Sequence, residues 1–482
     1  MLDQNKTPLF SALKKHWESS PLSGHVPGHK FGTVFPAEAS GYFEDILKLD
    51  ATEITGLDDL HDSEGIIEEA QRLAADLYRA KETFFLVNGS TVGNLAMIMG
   101  TCSRGSKVLV QRNCHKSILN GLELAGAEPV FLSCEVDERL GVAVSIKPNQ
   151  LQEALETVDG IEAVILTNPN YYGVAMRLDE LVTIIHSYNL PVLVDEAHGA
   201  HFILGKPFPK SALASGADVV VQSAHKTLPA MTMASFLHVQ GDRVKNKRIA
   251  HYLKMLQSSS PSYPLMASLD IARYYLASMH EQEVRDLYDD ITDIHQVIGK
   301  IEGVEVVVPK SGLQVDPLKL TLRSTTGLTG FELQQLLEKE GLFVELADPQ
   351  NVLIVLPLAV NDKKHDMIER IARALLGQTK DGKEKGRLII PPFPVEISRL
   401  AIPFSEQHDY EVVKCSLEDA VGEVAAEPVI PYPPGIPLLF KGERITRSTL
   451  EYIEVLENHG ARFQGSEWLK SNYMYIYKKE KE

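Results

Sequence analysis

From Thr83 to Ala224 the chain alternates two patterns. Short runs are apolar almost throughout: TFFLV (83–87), KVLVQ (107–111), EPVFLSC (128–134), AVILTNP (163–169), PVLVDE (191–196) and DVVVQSA (218–224). Strands buried on both faces read this way, because neither face alternates toward water. Between them GNLAMIMGTC (93–102), SILNGLELAG (117–126) and LDELVTIIHSY (178–188) repeat apolar residues every three or four positions, the period of a helix face. The alternation predicts an α/β fold with a mainly parallel sheet and helices on both faces. Such sheets bind ligands beyond the carboxyl ends of their strands. Two of the runs end there in reactive side chains, VLVDEAHGAHF (192–202) and VVVQSAHKTLPAMT (219–232).

The flanks differ. Residues 1–70, with GHVPGHKFG and DATEITGLDDLHDSEG, are rich in Gly, His, Pro and Asp and predict a loop-rich N-terminal arm. IIEEAQRLAADLYRA, from Ile66, has helical spacing and acids in its first turn. Residues 71–290 make the large domain. VEVVV, KLTLRS, GFELQQLLEKEG and NVLIVL place a small α+β domain over 291–376. The charged, Gly-rich GQTKDGKEKGR (377–387) reads as a linker, and 388–482 as a C-terminal domain ending in a helical stretch.

Composition narrows the classes. With 44% hydrophobic and 23% charged residues, the 482-residue chain is globular. At roughly 100–200 residues per domain, two to four domains are expected. A net charge of −17 argues against a nucleic-acid partner and accommodates a cationic ligand. Cys102, Cys114, Cys134 and Cys415 have no C-x-x-C spacing, so neither a disulfide framework nor a metal site is expected. The N-terminus lacks a signal-type apolar segment, and no run of 18 apolar residues suggests a membrane span. A reduced, soluble, cytoplasmic protein is expected.

The strand-end residues suggest one chemistry. A lysine such as Lys226, desolvated at a strand end, becomes a nucleophile. Asp195 ends another buried strand and needs a partner there. Pyridoxal phosphate (PLP) asks for both: a lysine for the Schiff base and an acid to keep the ring nitrogen protonated. VNGSTVGN (87–94) offers a phosphate cradle, with the Ser90 and Thr91 hydroxyls at a helix start. Ser223 can add a third hydroxyl, His115 in QRNCHKS can stack on the ring, and His198 can reach its phenolic oxygen. Each residue alone has an ordinary reading as a cap, a loop acid or a surface group.

Taken in order, the stretches resemble the Orn/Lys/Arg decarboxylases, a PLP-dependent family with the aspartate aminotransferase-like fold (fold type I). They are HVPGHK (25–30), GLDDLHDSEG (56–65), FFLVNGSTVGN (84–94), QRNCHKS (111–117), TNPNYYG (167–173), VDEAHGAH (194–201), QSAHKTLPAMT (222–232), SSSPSYPLMASLD (258–270) and YPPGIPLLFKGE (432–443). The resemblance is to the short Gram-positive form, without the N-terminal flavodoxin-like domain of the large acid-induced members. It implies Lys226 as the Schiff-base lysine, Asp195 as the pyridinium partner, His115 as the stacking group and His225 as an active-site neighbour. Ser90, Thr91 and Ser223 become phosphate ligands, and Ser258 or Ser259 reaches the phosphate of the partner subunit. A homodimer or higher even oligomer with shared sites follows. The implied reaction is decarboxylation of a cationic amino acid, arginine first, giving agmatine, with lysine and ornithine as alternatives. An aminotransferase or aldolase on the same fold, or a PLP-binding protein with a relict site, are the rival readings. Acids that could meet the distal cation are Glu53, Asp58, Asp59, Asp62 and Glu345.

Overall fold

The computed structural model describes residues 2–310, 312–378, 396–431, 436–458, 460–465 and 471–479. Residues 379–387 of the expected linker lie outside the described residues, as do 432–435 and 466–470 of the C-terminal motifs. The chain forms two compact units. The first comprises Met1–Thr101, Pro191–Gly205 and Lys210–Glu283. The second comprises Cys102–Leu190, Lys206–Pro209 and Val284–Glu482.

In the first unit, strands lie in the order Glu82–Leu86, Ser235–Val239, Val219–Gln222, Val192–Asp195. Val192–Asp195 and Val219–Gln222 run parallel, and the two pairings on the other side are antiparallel. Every residue of Val192–Asp195 and Val219–Gln222 is buried, as their continuous apolar runs require. Helix Gly89–Thr101 comes unusually close to these strands at Gly93. A Cβ there would meet Leu86 at 2.7 Å and Val221 at 2.8 Å. The helix begins at Gly89, so Ser90 and Thr91 belong to its first turn rather than to a preceding loop. Strand Ser235–Val239 is absent from the sequence reading because His238 interrupts its apolar run.

The arm holds more regular structure than its composition suggests. Helix Pro8–Glu18 has proline in its first turn and buries Leu9 and Leu13, four residues apart on one face. A second helix, Ala37–Leu47, buries Leu47. The start of the chain is fastened by helix Tyr263–Ser278. There Asp270 and Arg273, fully buried, pair at 2.8 Å. Asp270 accepts from the backbone N–H of Leu9 at 3.0 Å, and Arg273 donates to the carbonyl of Gln4 at 2.6 Å and to that of Lys6. Helix Ile66–Tyr78 is capped from a distance by Asp58, which stands at φ +67°. Its carboxylate accepts from the N–H of Asp59, Gly65 and Ile67 at 2.9 Å and of Glu64 at 3.1 Å. Burial opposes ionisation of Asp58, but these backbone bonds prevail and hold it below the ordinary carboxylate range.

In the second unit, Lys107–Gln111 pairs in parallel with Ile161–Thr167 on one side and Glu128–Leu132 on the other. Ile397–Arg399 then adds antiparallel to Glu128–Leu132. A separate antiparallel sheet has the order Val304–Val306, Lys319–Ser324, Asn351–Val355, Leu346–Ala347. Helices Gly330–Lys339 and Lys364–Leu375 accompany it, the first started by a capping box of Thr329 and Glu332. A third sheet joins Tyr410–Ser416, Tyr473–Lys479 and Val424–Ala425 around a core that includes Val429, Leu439, Ile453 and Met474.

Candidate active site

The strand Val192–Asp195 carries its carboxylate at the carboxyl end. Asp195 is 4% exposed. Its Oδ2 accepts from the Asn94 side-chain amide at 2.9 Å and its Oδ1 from the Ala197 N–H at 3.1 Å. Asn94 follows Ser90 by one turn of the same helix, so one face of that helix bears both. The two donors satisfy the buried carboxyl and fix its orientation.

After the parallel neighbour Val219–Gln222 the chain turns into a one-turn helix, Ala224–Thr227. This turn aims Lys226 at His198, with Nζ 2.9 Å from Nε2. His198 is buried, three residues past Asp195. His225 donates from Nδ1 to the Ala234 carbonyl at 3.0 Å. Ser223 and Ser90 share a hydrogen bond of 2.6 Å, and the Ser90 hydroxyl lies 3.3 Å from that of Ser235. Three hydroxyls thus gather at the start of a 13-residue helix, where N–H groups and the helix dipole favour an anion. Thr91 is exposed in the same turn.

Ser258 and Ser259 are exposed on the loop between helices Asn246–Leu256 and Tyr263–Ser278. That loop is anchored by Gln257, whose side chain accepts from the Val87 N–H at 2.8 Å and donates to the Phe85 carbonyl. His61 holds it from the arm, with Nε2 2.8 Å from the Ser258 carbonyl. Among the arm acids, Asp58 is committed to its helix cap. Glu53 and Asp59, with Asp58, lie close enough to Tyr263 to reinforce the upward push of burial on its phenol. Glu345 is exposed in the second unit.

His115 belongs to the second unit. It is the N-cap of helix Lys116–Ala125, and its Nδ1 accepts from the Ser117 N–H at 3.2 Å. The cap fixes the ring against the helix start.

A polar chain crosses the first unit's sheet immediately behind these residues. Glu196, fully buried, accepts from the Gln222 side-chain amide and from the Ala212 N–H, both at 2.7 Å. The Gln222 oxygen lies 3.1 Å from His238 Nε2, and His238 Nδ1 lies 2.8 Å from the Thr83 hydroxyl. Burial pushes the Glu196 carboxyl up to about 8, the two hydrogen bonds only partly opposing it. Burial likewise drives His238 down to about 3, so its ring is neutral.

Known proteins share this architecture and sequence. A family model described as Orn/Lys/Arg decarboxylase, major domain, matches residues 7–315, and one described as the C-terminal domain of the same family matches 400–468. The chain belongs to the Orn/Lys/Arg decarboxylase family. The Bacillus subtilis (strain 168) protein YaaO is 46% identical over 98% of this chain and 99% of its own length. The arginine decarboxylase of Bacillus anthracis is 34% identical over 100% of this chain and 99% of its own. The solved Francisella novicida lysine decarboxylase LdcF superposes with a TM-score of 0.82 at 20% identity, covering 98% of this chain and 81% of that one. A solved structure of SPT with PLP superposes with a TM-score of 0.50 at 17% identity, covering 64% of this chain and 76% of that one. The fold is therefore the fold type I architecture that the family resemblance implies, with the mainly parallel sheet expected from the strand–helix alternation. As a member of this family the chain is a decarboxylase of a basic amino acid, which sets aside the aminotransferase, aldolase and relict-site readings.

Sequence reasoning about this decarboxylase missed Asn94, Ser235 and the chain from Glu196 to Thr83. The spacing of Ser90 and Asn94, four residues apart on one helix, was an available signal for the first. The others meet their partners only through strand pairing.

The polar chain predicts a pH dependence of stability. Glu196 holds its proton in the folded state up to about 8, against 4.5 for an ordinary glutamate. Between those limits the folded state binds the extra proton, so its advantage shrinks as pH rises, by up to ~1.4 kcal/mol per unit. Glu196→Gln mimics the protonated carboxyl and is expected to flatten that decline. Urea-unfolding midpoints of both proteins from about pH 5 to pH 9 check this. Parallel profiles would rule out Glu196 as the source.

Proposed function

We propose that this decarboxylase holds pyridoxal phosphate on Lys226 and converts arginine to agmatine and CO₂, with lysine the next-best substrate and ornithine third. The observation that carries the reading is the pairing, within one unit, of a clamped strand-end carboxylate at Asp195 with a strand-end lysine on His198. Arginine ranks first because of the full-length similarity to an arginine decarboxylase at 34% identity.

The residues fit the cofactor. When bound, PLP supplies an electron sink for the bond that breaks at the substrate's α-carbon. Asp195, buried and held by Asn94, would pair with the ring nitrogen and favour its protonated form. Ser90, Thr91 and Ser223 would hold the phosphate at the helix start, with Ser235 beside them. His115 would be the group that stacks on the ring, and His198 the one that serves its phenolic oxygen. Lys226 Nζ would be the group that holds the cofactor, and with His225 it stands where a proton could be returned to the substrate's α-carbon. His198, 2.9 Å from Nζ, is placed to pass that proton on. Orienting the substrate against these fixed groups would be the protein's share of the rate.

The substrate's distal cation needs a carboxylate, since a desolvated charge without a partner is costly. Asp58 is removed from that role by its five backbone donors. Glu53, Asp59 and Asp62 remain in the arm, and Glu345 in the second unit. A planar guanidinium favours a bidentate carboxylate.

The working unit is a homodimer or higher even oligomer with shared sites. Leu22, Val26, Val34, Tyr42 and Phe43 expose large apolar surface on the arm, Leu22 completely, and a second copy would cover it. The exposed Ser258 and Ser259 then reach the partner's phosphate. A cytoplasmic setting agrees with four cysteines outside any disulfide. Among the described residues no helix is long and apolar enough to cross a membrane.

Three outcomes test the reading. Borohydride reduction of the holoenzyme followed by peptide mapping is expected to place a pyridoxyl group on Lys226, and recovery on Lys116 or Lys30 would overturn that assignment. CO₂ release without a keto-acid acceptor is expected with arginine, lysine and ornithine in falling order. Norleucine, lacking the distal charge, should lose at least about 3 kcal/mol in kcat/KM, or roughly a hundredfold. Equal use of norleucine would defeat the basic-substrate reading. Finally, an inactive Lys226→Ala chain mixed with an inactive chain altered at both Ser258 and Ser259 should regain activity, because one site of each mixed dimer is complete. Persistent inactivity after verified subunit exchange would contradict shared sites.

A further inference from the structure

We propose that Arg112 is a positioning residue, through which the segment Pro437–Glu443 holds the turn that carries His115. The inference rests on the reading of His115 as the group that stacks on the cofactor. Arg112 follows the strand Lys107–Gln111 and precedes His115 by three residues. Its side chain is 4% exposed. Burying a guanidinium is costly unless its donors are met. Here Nη1 donates to the Pro437 carbonyl at 3.1 Å, and Nη2 donates to the Leu438 carbonyl at 3.1 Å and to Glu443 at 2.9 Å. The same Glu443 oxygen accepts from the Phe440 N–H at 2.8 Å. Burial raises the Glu443 carboxyl while the Arg112 charge pulls it down, so the two are mutually dependent.

Stacking completes the clamp. The Arg112 Cζ lies 3.6 Å from the centre of the Phe440 ring and 5.3 Å from that of Phe131. Those two rings stack on each other at 4.6 Å. A planar, forked cation satisfies both the carbonyl pair and the ring face, and a lysine at 112 would satisfy neither fully. The backbone carries the constraint forward. Arg112 N–H donates to Leu132, Cys114 N–H to Gln111 and Ile118 N–H to His115, each within 3.1 Å. Two further ties reach the same helix, Lys116 to Gln464 at 2.8 Å and Lys441 to Glu123 at 2.6 Å. These are solvent-exposed and contribute little. The buried clamp is what fixes the turn.

The test uses PLP affinity and kinetics of the full-length holoenzyme. Arg112→Lys keeps the charge and loses the fork and the stack. It is expected to weaken PLP binding and to lower kcat by about tenfold each, with KM within about threefold. In a His115→Ala background the same substitution should change PLP affinity by less than about twofold, because the two residues act through one contact. A structural role alone would lower the melting temperature in either background and leave the PLP dissociation constant of the folded protein unmoved. Lys441→Met should leave both quantities unchanged. Multiplicative effects in the double variant, or an unchanged PLP affinity in Arg112→Lys, overturn the proposal. If Arg112→Lys does not fold, Glu443→Gln replaces it under the same criteria. A His115→Ala protein with normal PLP affinity overturns the stacking role of His115 and this inference together, whereas a weakened His115→Ala beside a normal Arg112→Lys sinks this inference alone.

Discussion

A buried polar chain inside an apolar sheet is the constraint on which the first unit's site depends. Strands Val192–Asp195 and Val219–Gln222 bury every residue, and nothing in their side-chain pattern distinguishes one register from another. The hydrogen bonds from Glu196 to Gln222, on to His238 and then to Thr83 satisfy one another in one register only. A slip of one residue would leave polar groups buried without partners, at a cost far above that of any single apolar contact. Asp195 is adjacent to the first member of this chain and Ser223 to the second, so the register of the strands is also the register of the chemistry.

The same logic explains how charge is distributed at the site. Asp195 is buried with a donor on each oxygen, from Asn94 and Ala197. Glu196, one residue on, is buried with two neutral donors and no cation, and its carboxyl is driven up to about 8. Three hydroxyls at the start of helix Gly89–Thr101 form the complementary, anion-favouring wall. The closeness of that helix to its strands depends on Gly93, where a side chain would collide with Leu86 and Val221.

In the second unit an analogous device acts over a long sequence distance. Arg112 is joined to a segment more than three hundred residues later, 325 positions for the Pro437 carbonyl. The region that the sequence sets apart as a C-terminal domain also sends Ile397–Arg399 to the edge of the Lys107–Gln111 sheet. These ties make the C-terminal region part of the scaffold of the strand ends rather than an appendage to it.

What the sequence determined by itself follows from local periodicity and residue chemistry. The continuous apolar runs became strands, Lys107–Gln111 to the residue, because burial on both faces is written into consecutive positions. The strand-end placement of Asp195, Lys226 and Ser90 was legible for the same reason, since apolar runs stop where the sheet does. Short helices in a polar arm were not, because two buried leucines at Leu9 and Leu13 are too few to register against the surrounding Gly, Pro and His. The tertiary structure alone decided which distant groups meet. His238 looks like an interruption in the sequence and is a buried link in a strand. Asp58 looks like a candidate for a cation and is a helix cap. Arg112 has no role that the sequence suggests and is enclosed by two rings and a carboxylate. In each case the deciding quantity is the free energy of desolvating a polar group, which depends on partners brought close by folding and not on neighbours in the chain.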